Sequence, residues 1–156
     1  MRSPFDTRVL PHLDAAYNYA RWLCGSDADA ARVTEAAVLA ARPLADSLPP
    51  GDARAWLLAI VRRTWSQDAP ASPDTLPAPP DRRATWPAGD IASIDAALAR
   101  LPVGYREMLV LRDVEALHYR DIAQIAGIAP ATVMTRLEAA RQMLATTVAM
   151  LGKEAA

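Results

Sequence analysis

The chain has 156 residues, 52% of them hydrophobic, a composition that suits one folded domain or two small ones and excludes a disordered chain. Seventeen basic residues face eighteen acidic ones for a net charge of −1, so the bulk charge lacks the basic excess usual in nucleic-acid-binding domains. Cys24 is the single cysteine, which excludes an intramolecular disulfide, and no apolar run reaches membrane-spanning length.

The N-terminus carries no signal-peptide pattern, so a soluble, cytoplasmic chain without membrane insertion is expected. Alanine is abundant, while β-branched and aromatic residues are sparse, which favours helix over strand. Basic charge is carried almost wholly by arginine, with Lys153 the only lysine.

The spacing predicts a first helix over about Val9 to Cys24, burying Leu10, Leu13, Tyr17, Ala20 and Cys24, with Gly25 as its stop. Ser26 or Asp27 caps a second helix to about Ala41, ended by Pro43. After a loop over Ser47 to Gly51, Asp52 caps a third helix, Ala53 to Ser66, with Trp56, Leu57, Ile60, Val61 and Thr64 on its buried side. The stretch from Asp68 to Gly89 holds six of the thirteen prolines and reads as a semi-extended linker, flanked by Trp65 and Trp86.

Four more helices follow. Asp90 caps one running through Ile91, Ile94 and Leu98 to Arg100. Pro102 opens the next at its first turn, with Tyr105, Met108, Leu109 and Leu111 buried. A short helix spans about Tyr119 to Ala126, with His118 at its N-cap and Asp121 near the positive end of its dipole. Gly127 makes a turn, and Pro130 starts a long last helix with Val133, Leu137, Ala140 and Leu144 in phase. The fold class is therefore all-α: a three-helix domain over residues 1–67, a linker over 68–89 and a four-helix domain over 90–156.

The segment from Tyr119 to Leu137 has the spacing of a helix-turn-helix. Gly127 can take the left-handed conformation of the tight turn. Ile122, Ala123, Ile128, Val133 and Leu137 would form the small core that sets the interhelix angle. The second helix then presents Ala131, Thr132, Thr135, Arg136 and Glu138 outward in its N-terminal half, the part that enters a major groove. A plain helical hairpin is the bland alternative for such a Gly turn taken alone.

The longer text LPVGYREMLVLRDVEALHYRDIAQIAGIAPATVMTRLEAARQML, from Leu101, strongly resembles region 4 of the extracytoplasmic-function (ECF) sigma factors. The first half is similar to region 2 of the same family, in LPHLDAAYNYARWLCGSDADAA at its opening and GDARAWLLAIVRRT at its third helix. The resemblance implies a transcription initiation factor. Its region 2 would bind RNA polymerase core and open the minus-10 element. Its region 4 would bind the minus-35 element of promoter DNA, and an anti-sigma factor would hold the protein inactive.

Carried over position by position, the resemblance implies minus-35 contacts at Ala131, Thr132, Thr135, Arg136, Glu138 and Arg141, and DNA-backbone contacts at Arg112, His118 and Tyr119. It implies minus-10 contacts at Arg54, Trp56, Arg62 and Arg63, and polymerase contacts at Ala31, Arg32, Thr34 and Glu35. From the residues alone, Trp22 and Trp56 read as core, and the three arginines read nearly as well as a solvated helix face.

The chain departs from the family pattern most in the second helix. The usual acid is Ala31, the leucine is Arg32, the glutamine is Thr34, and the aromatics are Ala37 and Ala41, so the docking face has become mostly alanine. Interface energy concentrates in a few large anchors, and each lost hot spot costs on the order of 2 kcal/mol or more. The Phe-Arg-Gly loop is Ser47-Leu48-Pro49-Pro50-Gly51, and the basic tail of the third helix shrinks to Arg62 and Arg63. In region 4, His118 replaces a serine and Ala116 a glycine. Residues 90–156 carry seven basic and eight acidic groups, so weak, strongly salt-dependent non-specific DNA binding is expected.

Two histidines and one cysteine make no zinc set, and no nucleophile triad, phosphate loop or carboxylate pair is present, so no enzyme, metal or cofactor is expected. Two alternatives stand beside an initiating sigma factor. One is a degenerate sigma-like protein that binds an anti-sigma factor or other partner without initiating transcription. The other is a free-standing helix-turn-helix repressor that binds a palindrome as a dimer.

Overall fold

The computed structural model describes residues 3–68 and 91–154, all helix and short connections, with no strand among them. The proline-rich segment, Trp86 and the expected Asp90 cap lie outside the described residues.

A short helix precedes everything the periodicity predicted: α1, Pro4–Arg8. The Ser3 hydroxyl accepts from the Asp6 amide at 3.2 Å, and the Asp6 carboxylate accepts from the Ser3 amide at 3.3 Å. This reciprocal box satisfies two orphan donors of the first turn. Phe5 is thereby driven into the core, with the Arg42 guanidinium 5.4 Å above its ring.

The first predicted helix is α-helical only from Leu13: α2 spans Leu13–Cys24, after a 3₁₀ turn over Leu10–His12. Pro11 has no N–H to continue an i→i−4 ladder, so the chain tightens there. Of the expected stripe only Ala20 is fully buried; the inner face is Ala16, Tyr19, Ala20 and Leu23. Gly25, at φ +79°, ends α2 and donates to the Arg21 carbonyl at 2.8 Å.

Ser26 caps α3, Asp27–Ala41, by accepting from the Asp29 amide at 3.2 Å. Its core face is Ala30, Val33, Ala37 and Ala41, so Ala37 and Ala41 are structural and not part of a docking surface. Beyond it, residues Arg42–Ser47 coil on as 3₁₀ helix. Asp52 caps α4, Ala53–Asp68, accepting from the Arg54 amide at 2.9 Å. Leu57, Leu58, Ile60 and Val61 are buried, while Trp56 and Thr64 are half-buried. The burial of α4 exceeds a single stripe because it is packed on two sides, by α2 and α3 and by the second half of the chain.

In that second half, α5 (Ile91–Arg100) and α6 (Val103–Leu109) lie on the long α8 (Pro130–Glu154), and α7 (Tyr119–Ala126) crosses it. Pro102 is the extended N-cap of α6, one position before the expected first turn. Residues Val110–Val114 form a π turn, closed by the Glu115 amide donating to the Val110 carbonyl at 2.9 Å. Nothing in the apolar spacing marks that extra residue per turn.

The two halves do not stand apart. α4 packs on α7 and α2 on α6, and a single apolar cluster runs from Phe5 through Leu58 and Met108 to Val148.

Candidate nucleic-acid interface

The helix-turn-helix forms as the spacing required. Gly127 sits at φ +70° and donates to the Ala123 carbonyl at 2.9 Å; the Ile128 amide reaches the same carbonyl at 3.1 Å. Ile122, Val133 and Leu137 are buried between α7 and α8, and Ala123 lies with them. Pro130 occupies the first turn of α8, and the Ala129 carbonyl accepts from the amides of Thr132 and Val133.

Along the outer face of α8, Ala131, Thr135 and Glu138 are exposed, and Thr132, Arg136 and Arg141 are half-buried. The Arg141 guanidinium lies 3.3 Å from the Asp113 carboxylate, which ties α8 to the π turn. Met134 is 56% exposed and falls between Ala131 and Glu138 on the same stripe. It was missed in the sequence because methionine reads as core; the 131, 134, 135, 138 spacing was the available signal.

At the entrance to the module, Arg112 donates to the Leu117 carbonyl at 2.8 Å and stacks 4.8 Å from the Tyr119 ring centroid. His118 is the extended N-cap of α7 and is exposed. Ala116 adopts φ +54° in the connection. This is a left-handed position, which explains on backbone grounds why a glycine suits it.

The residues with expected minus-10 roles meet a different fate. Arg62 of α4 forks onto Glu107 of α6, Nε to Oε2 at 3.0 Å and Nη2 to Oε1 at 3.3 Å. Tyr19 of α2 donates its hydroxyl to the same Oε2 at 2.9 Å. Tyr19 is 0% exposed and Glu107 is 2% exposed. Burial, and then Glu107, push the Tyr19 hydroxyl well above the usual tyrosine range. Burial works against charge on Arg62, but the hydrogen bonds and charge attraction of Glu107, with Tyr19 beside it, together outweigh this and favour the ionised guanidinium.

Arg54, two turns earlier on α4, lies 3.5 Å from Glu115 and 3.7 Å from Asp52. Glu115 is 8% exposed; burial raises its carboxyl above the ordinary glutamate value, with Arg54 and His12 opposing. Arg63 is the exposed one of the four minus-10 candidates, and Trp56 is half-buried against the core. Glu107 and Glu115 carried no functional expectation. For Glu107 the signal was a carboxylate in helical phase with the buried Val110 and Leu111.

Three of the four expected polymerase contacts, Ala31, Thr34 and Glu35, line a shallow groove of about 350 Å³ between α2 and α3. Leu13, Tyr17 and the 63% exposed Leu39 make it apolar. Arg32 lies outside the groove, 3.6 Å from Asp29. Cys24 and Trp22 are half-buried against the core, and burial raises the Cys24 thiol above its usual value. Among the described residues there is no metal-ligating cluster and no helix long and apolar enough to cross a membrane.

Residues 91–144 match the family model described as sigma-70, region 4. The chain is 30% identical to the ECF RNA polymerase sigma factor SigE of Mycolicibacterium smegmatis over 97% of its own length, and spans 64% of that curated relative. Its fold is similar to that of the sigma factor RpoE of Bartonella quintana, solved in complex with the anti-sigma factor NepR. That likeness has a TM-score of 0.72, 23% identity, and 93% and 96% of the two chains covered. It is similar also to the PhyRSL–NepR complex from Sphingomonas sp. Fr1, at TM-score 0.68 and 22% identity, with 92% and 88% covered. The helix-turn-helix thus lies within the stretch that matches region 4, and the likeness to SigE runs almost the full length of the chain.

Proposed function

We propose that the chain is an ECF-type sigma factor that directs RNA polymerase core to specific promoters in the cytoplasm. The observation that carries this reading is the formed helix-turn-helix, with Ala131, Met134, Thr135 and Glu138 in one outward stripe of α8. That stripe, flanked by Thr132, Arg136 and Arg141, enters the major groove at the minus-35 element. Arg112, His118 and Tyr119 approach the adjoining phosphates. Residues 1–67 act as region 2 and 90–156 as region 4, joined by 68–89. The groove edged by Ala31, Thr34 and Glu35, with Arg32 beside it, receives the polymerase. Arg63 and Trp56 meet the minus-10 strand, joined by Arg54 and Arg62 when their carboxylate partners release them. The chain catalyses no reaction of its own, in keeping with a family of initiation factors.

Run-off transcription with purified core polymerase tests this. Promoter-dependent transcripts are expected; no core binding at micromolar protein defeats the reading.

A second reading is favoured by one specific observation. Arg54 and Arg62 are both held by carboxylates of the same chain, and the docking groove carries Ala31 and Thr34 where an acid and a glutamine are usual. A sigma-like protein with these features could bind an anti-sigma factor without initiating transcription. RpoE and PhyRSL were each solved with NepR, which makes an anti-sigma factor the partner to test. A tight complex with such a factor, and none with core, decides for this reading. Restoring the acid and the leucine, by Ala31→Asp and Arg32→Leu, is expected to raise core affinity if erosion of the groove is the cause.

A further inference from the structure

Among the described residues, the buried charged side chains are Glu107 and Glu115. Both belong to the second half of the chain. Each faces an arginine of α4 in the first half: Glu107 holds Arg62 at 3.0 Å and Glu115 holds Arg54 at 3.5 Å. A third polar group from the first half, the Tyr19 hydroxyl, closes on Glu107 at 2.9 Å. Two buried carboxylates thus meet two arginines of one helix across the seam where α4 packs on α7 and α2 on α6.

A buried ion pair contributes little net stability compared with apolar packing of the same volume, because desolvation offsets most of the attraction. What it adds is selectivity of geometry. The fork of Arg62 on Glu107 fits one docking of the halves and is lost on a small displacement. When the halves part, both arginines return to water, or to any anion that approaches them.

We propose that this seam is an autoinhibitory latch. Glu107, gripped by Arg62 and Tyr19, holds the two halves closed, and the closed seam sets Glu107 and Glu115 against Arg62 and Arg54, so that nucleic acid reaches those cations only after the halves separate. The nucleic-acid consequence rests on the sigma-factor reading of α4; the closure itself does not.

The test uses the full chain with Cys24→Ser and spin labels on two exposed sites, Ala40→Cys on α3 and Gln124→Cys on α7. Pulsed electron–electron distance measurement should give one narrow distribution for this parent. Adding Glu107→Gln and Glu115→Gln should broaden it and move it to longer distance. In parallel, unlabelled variants are titrated with a short thymidine oligonucleotide, a probe that needs neither promoter nor polymerase. Release of two cations should steepen the slope of log affinity against log salt by about 1.4, from about 0.7 per phosphate neutralised. The control is Asp14→Asn with Asp95→Asn, two exposed carboxylates whose loss makes the same change in net charge without touching the seam.

A distribution that stays narrow overturns the latch, as does opening with no gain in slope over the control. Should the double variant lose its helical circular dichroism, Tyr19→Phe alone keeps the Arg62 fork and should open the seam to a smaller extent. An unchanged distribution there overturns the latch equally. Because neither readout involves transcription, a chain inactive in run-off assays can still show the latch, and an active one can lack it.

Discussion

Replacing Tyr19 by phenylalanine is a sharp probe of how the halves are joined. The change removes one oxygen from a side chain that is 0% exposed and whose hydroxyl donates to a carboxylate at 2.9 Å. Hydrogen bonds to charged groups are worth about 1.5–3 kcal/mol. Glu107 keeps both bonds from Arg62, so no orphan charge is created, and the phenyl ring keeps its packing. The expected loss is therefore near the lower end, about 1–2 kcal/mol, or a fall in Tm of roughly 3–6 °C for a chain of this size. Removing the carboxylate instead, by Glu107→Gln, leaves Arg62 without its counter-charge. Its side chain is 25% exposed, which tempers the penalty for breaking a fully buried pair to about 2–4 kcal/mol. Urea denaturation followed by circular dichroism measures both. Because one core spans the halves, a single transition is expected, with its midpoint lowered and its slope unchanged. A double-mutant cycle of the two changes should show coupling of about 0.5 kcal/mol or more. A Tyr19→Phe midpoint within error of wild type, or two separate transitions with only one affected, would mean that the seam is not formed in solution.

Two left-handed positions make opposite predictions. At Gly127, φ +70°, an added Cβ meets nothing within 4 Å, so Gly127→Ala should cost only the backbone strain, about 1–2 kcal/mol in denaturation. At Ala116, φ +54° and exposed, Ala116→Gly relieves that strain and should leave stability unchanged or raise it by up to about 1 kcal/mol; a clear loss counts against this backbone geometry. Glu115 should impose a pH dependence of definite sign. Its carboxyl is raised by burial above the ordinary 4.5, so the folded chain binds this proton more tightly than the unfolded chain. Its contribution to stability is thus fully present below the unfolded value and lost as pH rises through the folded one. The stability difference between wild type and Glu115→Gln should accordingly fall as pH rises from about 4.5, measured as urea midpoints; a rising difference contradicts the burial assigned to Glu115. Finally, Arg136→Ala should cost about 1–3 kcal/mol in binding to the duplex that wild type selects from a random pool, and much less on unselected duplex. Equal losses on both would remove Arg136 from base reading.

The helical class, the caps at Ser26 and Asp52, the stops at Gly25 and Gly127 and the buried spine of Ile122, Val133 and Leu137 were legible because each is a local rule. A cap, a left-handed glycine or a 3.6-residue period needs only a few neighbours in sequence. The capping box at Ser3 and Asp6 was equally local, but its helix is too short for periodicity to register. What failed were choices between faces. The α2 stripe through Leu13 and Tyr17 is real, yet it lines the surface groove while Ala16, Tyr19 and Leu23 go inward. Ala37 and Ala41 looked like an eroded docking face and are core.

The amino-acid sequence alone determined that this is an all-α chain carrying a helix-turn-helix whose text resembles ECF sigma region 4, because caps, turns and helical periods are written in short-range spacing. Only the tertiary structure decided that the two halves share one core and that Arg54 and Arg62 lie against Glu115 and Glu107. Those partners are 61 and 45 residues apart in sequence (115 − 54 and 107 − 62). A charge reads as solvated or DNA-facing until packing brings a buried opposite charge beside it, and no local pattern encodes that meeting.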